Sequence, residues 1–378
     1  MSPPWSGRSP PTVRCAAEPP LTVPPGLGPA RARALLVILL GLVGWGIVGS
    51  ASAGPVSTTS QGRFGDVALY QETAARVAAG ADYYSAAIAA QLAHGYPTTP
   101  FVVVRLPTLT GLHLLVGETA ATVLLVLLGL AGLLAMARRL DRTGVGRAER
   151  LAAAALLGLG VAILAVGPVA WFHEAWAGAL MLLALGVHSP RRWWPSVLLG
   201  LTAVCFRELA LPFLMVMAVL AWPRRRRESY AWLGAIAAFG VVYALHALAV
   251  TAAQPPAPVG TNGWLQLGGW SFVLACVRTG SLLSALPFAV AAVLVPLALF
   301  GWLFAGALAR PVVATCGLLV CALLVVGRPD NTYWGLIFAT LLLTGLAFAP
   351  RGLVACVRAA GSRDRPPGTS GPASSPLQ

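Results

Sequence analysis

Apolar runs close to twenty residues long recur along this chain, separated by short arginine clusters, and that pattern leaves few folds open. The runs include 34–50, 119–137, 230–250 and 285–309. About 20 predominantly apolar residues is what a helix needs to cross a bilayer. Only 10% of the 378 residues are charged, against about a quarter in soluble domains. The pattern predicts an all-α, polytopic membrane protein.

A formal net charge of +14 raises the question of nucleic acid, which the placement of the charge excludes. Every basic residue is arginine, and the arginines cluster between apolar runs, where they set membrane orientation. The six cysteines, Cys15, Cys205, Cys276, Cys316, Cys321 and Cys356, form no close CxxC pair. Neither a disulfide framework nor a zinc site is expected.

Residues 1–33 are rich in Pro, Ser, Gly and Arg with little to bury, and read as a disordered cytoplasmic tail. Ser50-Ala51-Ser52-Ala53 resembles a signal-peptidase site. The region before the first run is too long and Pro-rich for a signal peptide, so an uncleaved span is expected. Spans follow at 119–137 and 151–170, and a turn at Trp171-Phe172-His173-Glu174 leads into the next.

The run 195–222 is interrupted by Arg207-Glu208. Each half spans about 18 Å at ~1.5 Å per residue, too short for ~30 Å of hydrocarbon. Two shortened or re-entrant helices are therefore expected, with the break near the outer face. Further spans at 230–250, 285–309, 312–326 and 334–349 complete about ten transmembrane or half-membrane helices in a membrane domain, 34–350. A second cytoplasmic tail, 351–378, is expected to be disordered.

This threading puts six arginines outside (Arg63, Arg76, Arg105, Arg207, Arg278 and Arg328) and the other twenty of 26 inside, as the positive-inside rule asks. Both termini are then cytoplasmic. Seven of the twelve acids fall outside: Asp66, Glu72, Asp82, Glu118, Glu174, Glu208 and Asp330. Acids contribute little to orientation, so an outer-face site is one reason for them to gather there.

The polar segment 54–118 concentrates acids and tyrosines, together with His94 and Arg105. Val67, Tyr70, Ala74 and Val77 recur at helical spacing, as do Tyr84, Ala87, Ile88 and Gln91, which predicts two amphipathic helices on the membrane surface. Gly80 and Gly95 are placed to end them. The prolines at 97, 100 and 107 then impose an extended path.

The Gly65-Asp66-Val67-x-x-Tyr70 start, the Gly80-x-Asp82-Tyr83-Tyr84 turn and the Tyr96-Pro97-x-x-Pro100 exit resemble the first outer loop of the C-type membrane glycosyltransferases. The likeness is to the bacterial polyprenyl-phosphate-dependent mannosyl- and arabinosyltransferase-like members and to a related group that forms cell-surface glycopolymers. It rests on about 60 residues and otherwise on the layout of spans. It implies transfer of a hexose or pentose from a polyprenyl-phosphate donor to a cell-envelope glycan or glycolipid acceptor, with an acid in the first loop as the base and neither metal nor cofactor. Many members carry an acidic pair there; here Val67 follows Asp66.

Asp66 is the expected base, and also a residue type that caps helices; both readings stay open on sequence. Arg105, Arg207 and Arg328 are either interfacial anchors or ligands for the donor phosphate, which Arg binds through two parallel bonds. Glu208 beside Arg207 is an ion pair or a substrate contact at a helix break. Tyr84, His94, Asp330 and Asn331 are further candidate substrate contacts, whereas His113 and His246 read as packing residues. A lipid-sugar transporter or flippase, or a non-catalytic assembly subunit, is the competing reading, since broken helices also build transporter sites.

Overall fold

In the computed structural model, residues 27–52, 65–260 and 266–362 are described. Within them the chain is all-helical, 80% helix with no strand. The order is α1 (Pro29–Ser52), α2 (Asp66–Ala78), α3 (Tyr83–Ala93), α4 (Thr108–Val116) and α5 (Glu118–Asp141). Then come α6 (Arg147–Ile163), α7 (His173–Val187), α8 (Trp194–Phe206), α9 (Leu211–Ala221) and α10 (Arg226–Ala252). The last are α11 (Gly269–Thr279), α12 (Phe288–Trp302), α13 (Ala309–Val325), α14 (Ala339–Leu343) and α15 (Ala349–Gly361).

Five helical stretches are long and apolar enough to cross a membrane: Pro29–Gly49, Glu118–Asp141, Arg226–Ala252, Gly306–Val325 and Ala339–Gly361. Helices α7, α8 and α12 are apolar but shorter.

The interruption at 207–208 is a true helix break. α8 ends at Phe206, Arg207 is extended at φ −150° and ψ 117°, and a short 3-10 turn, Glu208–Ala210, leads into α9. α8 packs on α7 and α9 on α10. The Ser196 hydroxyl donates to the Ala184 carbonyl at 2.8 Å and the Ser229 hydroxyl to the Ala218 carbonyl at 2.8 Å.

Two elements depart from the sequence reading at the ends. The segment 1–33 is helical from Pro29, and 351–378 is helical to Gly361; the rest of both segments lies outside the described residues. Arg351 and Arg358 give α15 the look of a solvated tail, yet its spacing buries Ala355 and Cys356 against Leu39, Phe300 and Phe304. The Arg33 guanidinium donates twice to the Ala360 carbonyl, at 3.2 and 3.0 Å, satisfying an acceptor that the end of a helix leaves open. The start of α1 and the end of α15 therefore share one end of the bundle.

Between α10 and α12 lies a further helix, α11, with Trp270, Val273, Leu274 and Val277 buried. α11 packs on the 3-10 segment Pro329–Ile337 so closely that a Cβ on Gly335 would stand 1.7 Å from the Cys276 carbonyl oxygen.

The polar segment sits at one end of α10. Ala87 and Ile88 of α3 and Val104 cluster with Val250 near the α10 C-terminus. Arg225, Arg226 and Arg227 lie at the other end of that helix.

Candidate functional site

α2 starts where extended Gly65, at φ −74° and ψ 154°, gives way to Asp66 as the first helical residue. No side chain caps this helix, so Asp66 is not spent on the capping bond that its residue type allows. That bond is made one helix later: Asp82 caps α3 by accepting from the Ser85 N–H at 3.0 Å. Gly80 and Gly95 lie at φ 99° and 71°, left-handed turns that glycine adopts without a Cβ penalty.

A carboxylate clamp joins the two helices. Glu72 accepts from Arg76 at 2.6 Å within α2 and lies 2.6 Å from His94 Nε2 just past α3. The hydrogen bonds from Arg76 and His94 hold the Glu72 carboxyl below its usual range. The segment after α3 is tied back in turn: Gln91 donates to the Val103 carbonyl at 3.1 Å, Tyr83 to the Arg105 carbonyl at 2.9 Å.

These elements enclose a cavity of about 450 Å³. Asp66, His94 and Arg105 line it from the first polar segment, and Arg328, Asp330 and Asn331 from the far end of the chain. Tyr70, Tyr83, His173 and Tyr333 add to its polar wall. Burial pushes the Tyr70 phenol up, with the Arg105 charge opposing and the Asp66 charge adding. A proton acceptor and a guanidinium thus share one field around Tyr70. Arg328 and Asp330 pair at 3.2 Å.

Arg207 and Glu208 do not line this cavity. They line a neighbouring one of about 300 Å³ whose wall is mostly apolar, including Tyr243, Leu319, Leu323, Phe338 and Ile337; Arg105 borders both. Arg207 is nearly enclosed: it pairs with Glu174 and with Glu208, and its guanidinium lies 5.5 Å from the Trp334 ring centre. Arg105 Nη1 lies 3.9 Å from Glu208.

Tyr84 is in neither lining. Its ring meets His246, its hydroxyl is 3.3 Å from His246 Nδ1, and so it packs α3 against α10. The structure thus places Tyr84 outside both cavities. His246 also reaches the Val104 carbonyl at 3.0 Å, and His113 stacks on Trp171 with ring centres 3.7 Å apart; both are packing residues.

His173 and Glu174 carry more than a turn. They open α7 and are both buried. Glu174 is the partner of Arg207, while His173 meets the Tyr70 ring at 5.0 Å and lines the first cavity. Neither ring nitrogen of His173 has a hydrogen-bond partner among the described residues. The signal available in sequence was two adjacent polar residues opening an apolar helix.

No family model, curated protein or solved structure matches this chain.

Proposed function

We propose that this chain is a membrane glycosyltransferase that moves a sugar from a polyprenyl-phosphate donor to a cell-envelope glycan or glycolipid on the outer face. One observation carries the reading: Asp66, His94 and Arg105 meet Arg328, Asp330 and Asn331 around one cavity of about 450 Å³. A carboxylate and a cation beside a void are what glycosyl transfer from a phosphate needs. The base takes a hydroxyl proton while fixed positive charge receives the departing phosphate. The adjoining apolar cavity, reached past Arg105, suits the hydrocarbon chain of a lipid donor.

In this reading Asp66 deprotonates the acceptor hydroxyl. The acceptor oxygen bonds to the anomeric carbon as the bond to the phosphate oxygen breaks, giving inversion in one displacement. Arg105 holds the phosphate, and Arg207, already engaged by two carboxylates, fixes Glu208 beside Arg105. The arginine-rich end of the bundle is cytoplasmic, and with it the start of α1 and the end of α15.

The test is Asp66→Asn in protein reconstituted with a polyprenyl-phosphate sugar. A base contributes about 10²–10⁴-fold, so transfer should nearly vanish while thermal stability holds, because Asp66 makes no capping bond. Transfer near the wild-type rate in that variant excludes the mechanism. Movement of the lipid-linked sugar across the bilayer without transfer identifies a transporter instead.

A further inference from the structure

The opposite end of the bundle holds a larger cavity, about 920 Å³, that glycosyl transfer does not use. Arg138, Arg139 and Arg142 line it from the end of α5, and Arg192 from the turn between α7 and α8. Arg224 and Arg225 enter from the turn before α10, and Arg310 from the start of α13. Among the described residues no carboxylate lines it. The positive-inside rule places arginines on this face, but it does not bring four separate stretches of chain around one void.

Arg192 lies over the Trp194 ring, 5.7 Å from its centre, and the other six arginines fall into two sets. Arg139 donates to the Leu185 carbonyl and lies 3.4 Å from His188 Nδ1, and Arg225 pairs with Glu228 at 2.5 Å. These two are fixed. The side chains of Arg138, Arg142, Arg224 and Arg310 make no hydrogen bond or ion pair with any described residue. All four are exposed, so water and salt screen their mutual repulsion, but with no carboxylate partner among the described residues they are open to an anion entering the cavity. Arg receives phosphate oxygens through parallel N–H bonds.

The rest of the lining says which kind of anion. Ala135, Met217 and Leu220 make part of the cavity wall apolar. A further void of about 780 Å³ adjoins it, sharing Leu220, Gly306 and Arg310, and is walled by Leu303, Val313 and Ala314. A free phosphate compound would use the arginines and leave this void idle. A lipid would use both, and basic pockets between membrane helices are established sites for anionic headgroups.

We propose that the arginine cavity binds the phosphate headgroup of an anionic phospholipid, with an acyl chain entering the adjoining apolar void. This site is independent of the catalytic reading.

The test uses the full chain in nanodiscs of equal phosphatidylglycerol and phosphatidylcholine, followed by native mass spectrometry of the lipid retained in detergent. Wild type should retain phosphatidylglycerol selectively. R138Q/R142Q/R224Q/R310Q should retain it up to roughly a thousandfold less, from the loss of four guanidinium charges facing the headgroup. R147Q/R191Q/R226Q/R227Q removes the same charge from positions that are equally exposed but line neither void and should keep it. Leu220→Trp, which fills the passage between the voids, should lose the lipid but still bind sodium pyrophosphate. Equal loss in both quadruple variants, or no preference in wild type, overturns the site. Pyrophosphate binding by wild type without retained lipid overturns the lipid assignment. Single R142Q and R310Q variants read the same preference if the quadruple variant fails to fold.

Discussion

Arg207 Nε lies 2.6 Å from Glu174 Oε1, with both side chains only 1% exposed. One residue opens α7 and the other occupies the break after α8, so the pair pins two chain segments together where backbone regularity is lost. Removing one partner of a buried pair leaves a charge without compensation and costs about 3–5 kcal/mol. Here Arg207 keeps Glu208, which places Glu174→Gln toward the lower figure. Arg207→Ala strands Glu174 in the interior and should cost more. Thermal unfolding in detergent should rank wild type above Glu174→Gln above Arg207→Ala. An unchanged melting temperature in both would show that the pair contributes nothing to the break.

The clamp at Glu72 predicts a dependence on acid. Its folded-state carboxyl titrates below the ordinary value of 4.5. The stabilisation is therefore complete above 4.5 and is lost as pH falls through the lower, folded value. Hydrogen exchange in α2 and α3, corrected for intrinsic rates, should show steady protection from neutral pH to about 5 and a decline below about 4.5. Glu72→Gln should show weaker and pH-independent protection. A wild-type profile in that variant would remove the clamp from the account.

Much of the first polar segment was legible because its helices are short and local. Helical spacing marked α2 and α3, and Gly80 and Gly95 stand at positive φ where the helices end. Tyr84 stands apart from the cavity for a local reason: successive residues on a helix point ~100° apart, so Tyr83 lines the cavity while Tyr84 faces His246. The pairing of Arg207 with Glu174 was not legible. Adjacent Glu208 is the partner a sequence offers, and only the packing of α7 on α8 brings Glu174 within reach. The helices α11 and α15 were hidden by Gly, Pro and Arg, whose tertiary partners, such as Gly335 against Cys276 and Arg33 on Ala360, lie far away in the chain.

Both ring nitrogens of His173, which lines the first cavity, are buried without a hydrogen-bond partner among the described residues. A buried polar group left unsatisfied costs about 1–3 kcal/mol, and a sugar hydroxyl would supply the missing bond. His173→Phe keeps an aromatic ring against Tyr70 and removes the unsatisfied atoms. It should hold or raise thermal stability while weakening substrate use by roughly tenfold, one hydrogen bond's worth. Wild-type turnover and KM in a stable His173→Phe protein would make the histidine a packing residue.

Arg105 is the residue on which both cavities depend, since it lines the one that holds Asp66 and the apolar one beside it. A donor with a phosphate between a sugar and a hydrocarbon chain needs its cation at that boundary. Arg105→Ala should weaken donor use by about 1.5–3 kcal/mol, the scale of a charged hydrogen bond, which is roughly 10–150-fold. The fold should survive, because Glu208 keeps Arg207 as its partner. Arg105→Lys should recover only part of the loss, having charge without the planar fork. The loss should fall on the donor and leave acceptor KM unchanged, which separates phosphate binding from a general disturbance of the cavity. Donor affinity equal to wild type in Arg105→Ala would take the phosphate away from this arginine and leave the boundary without its cation.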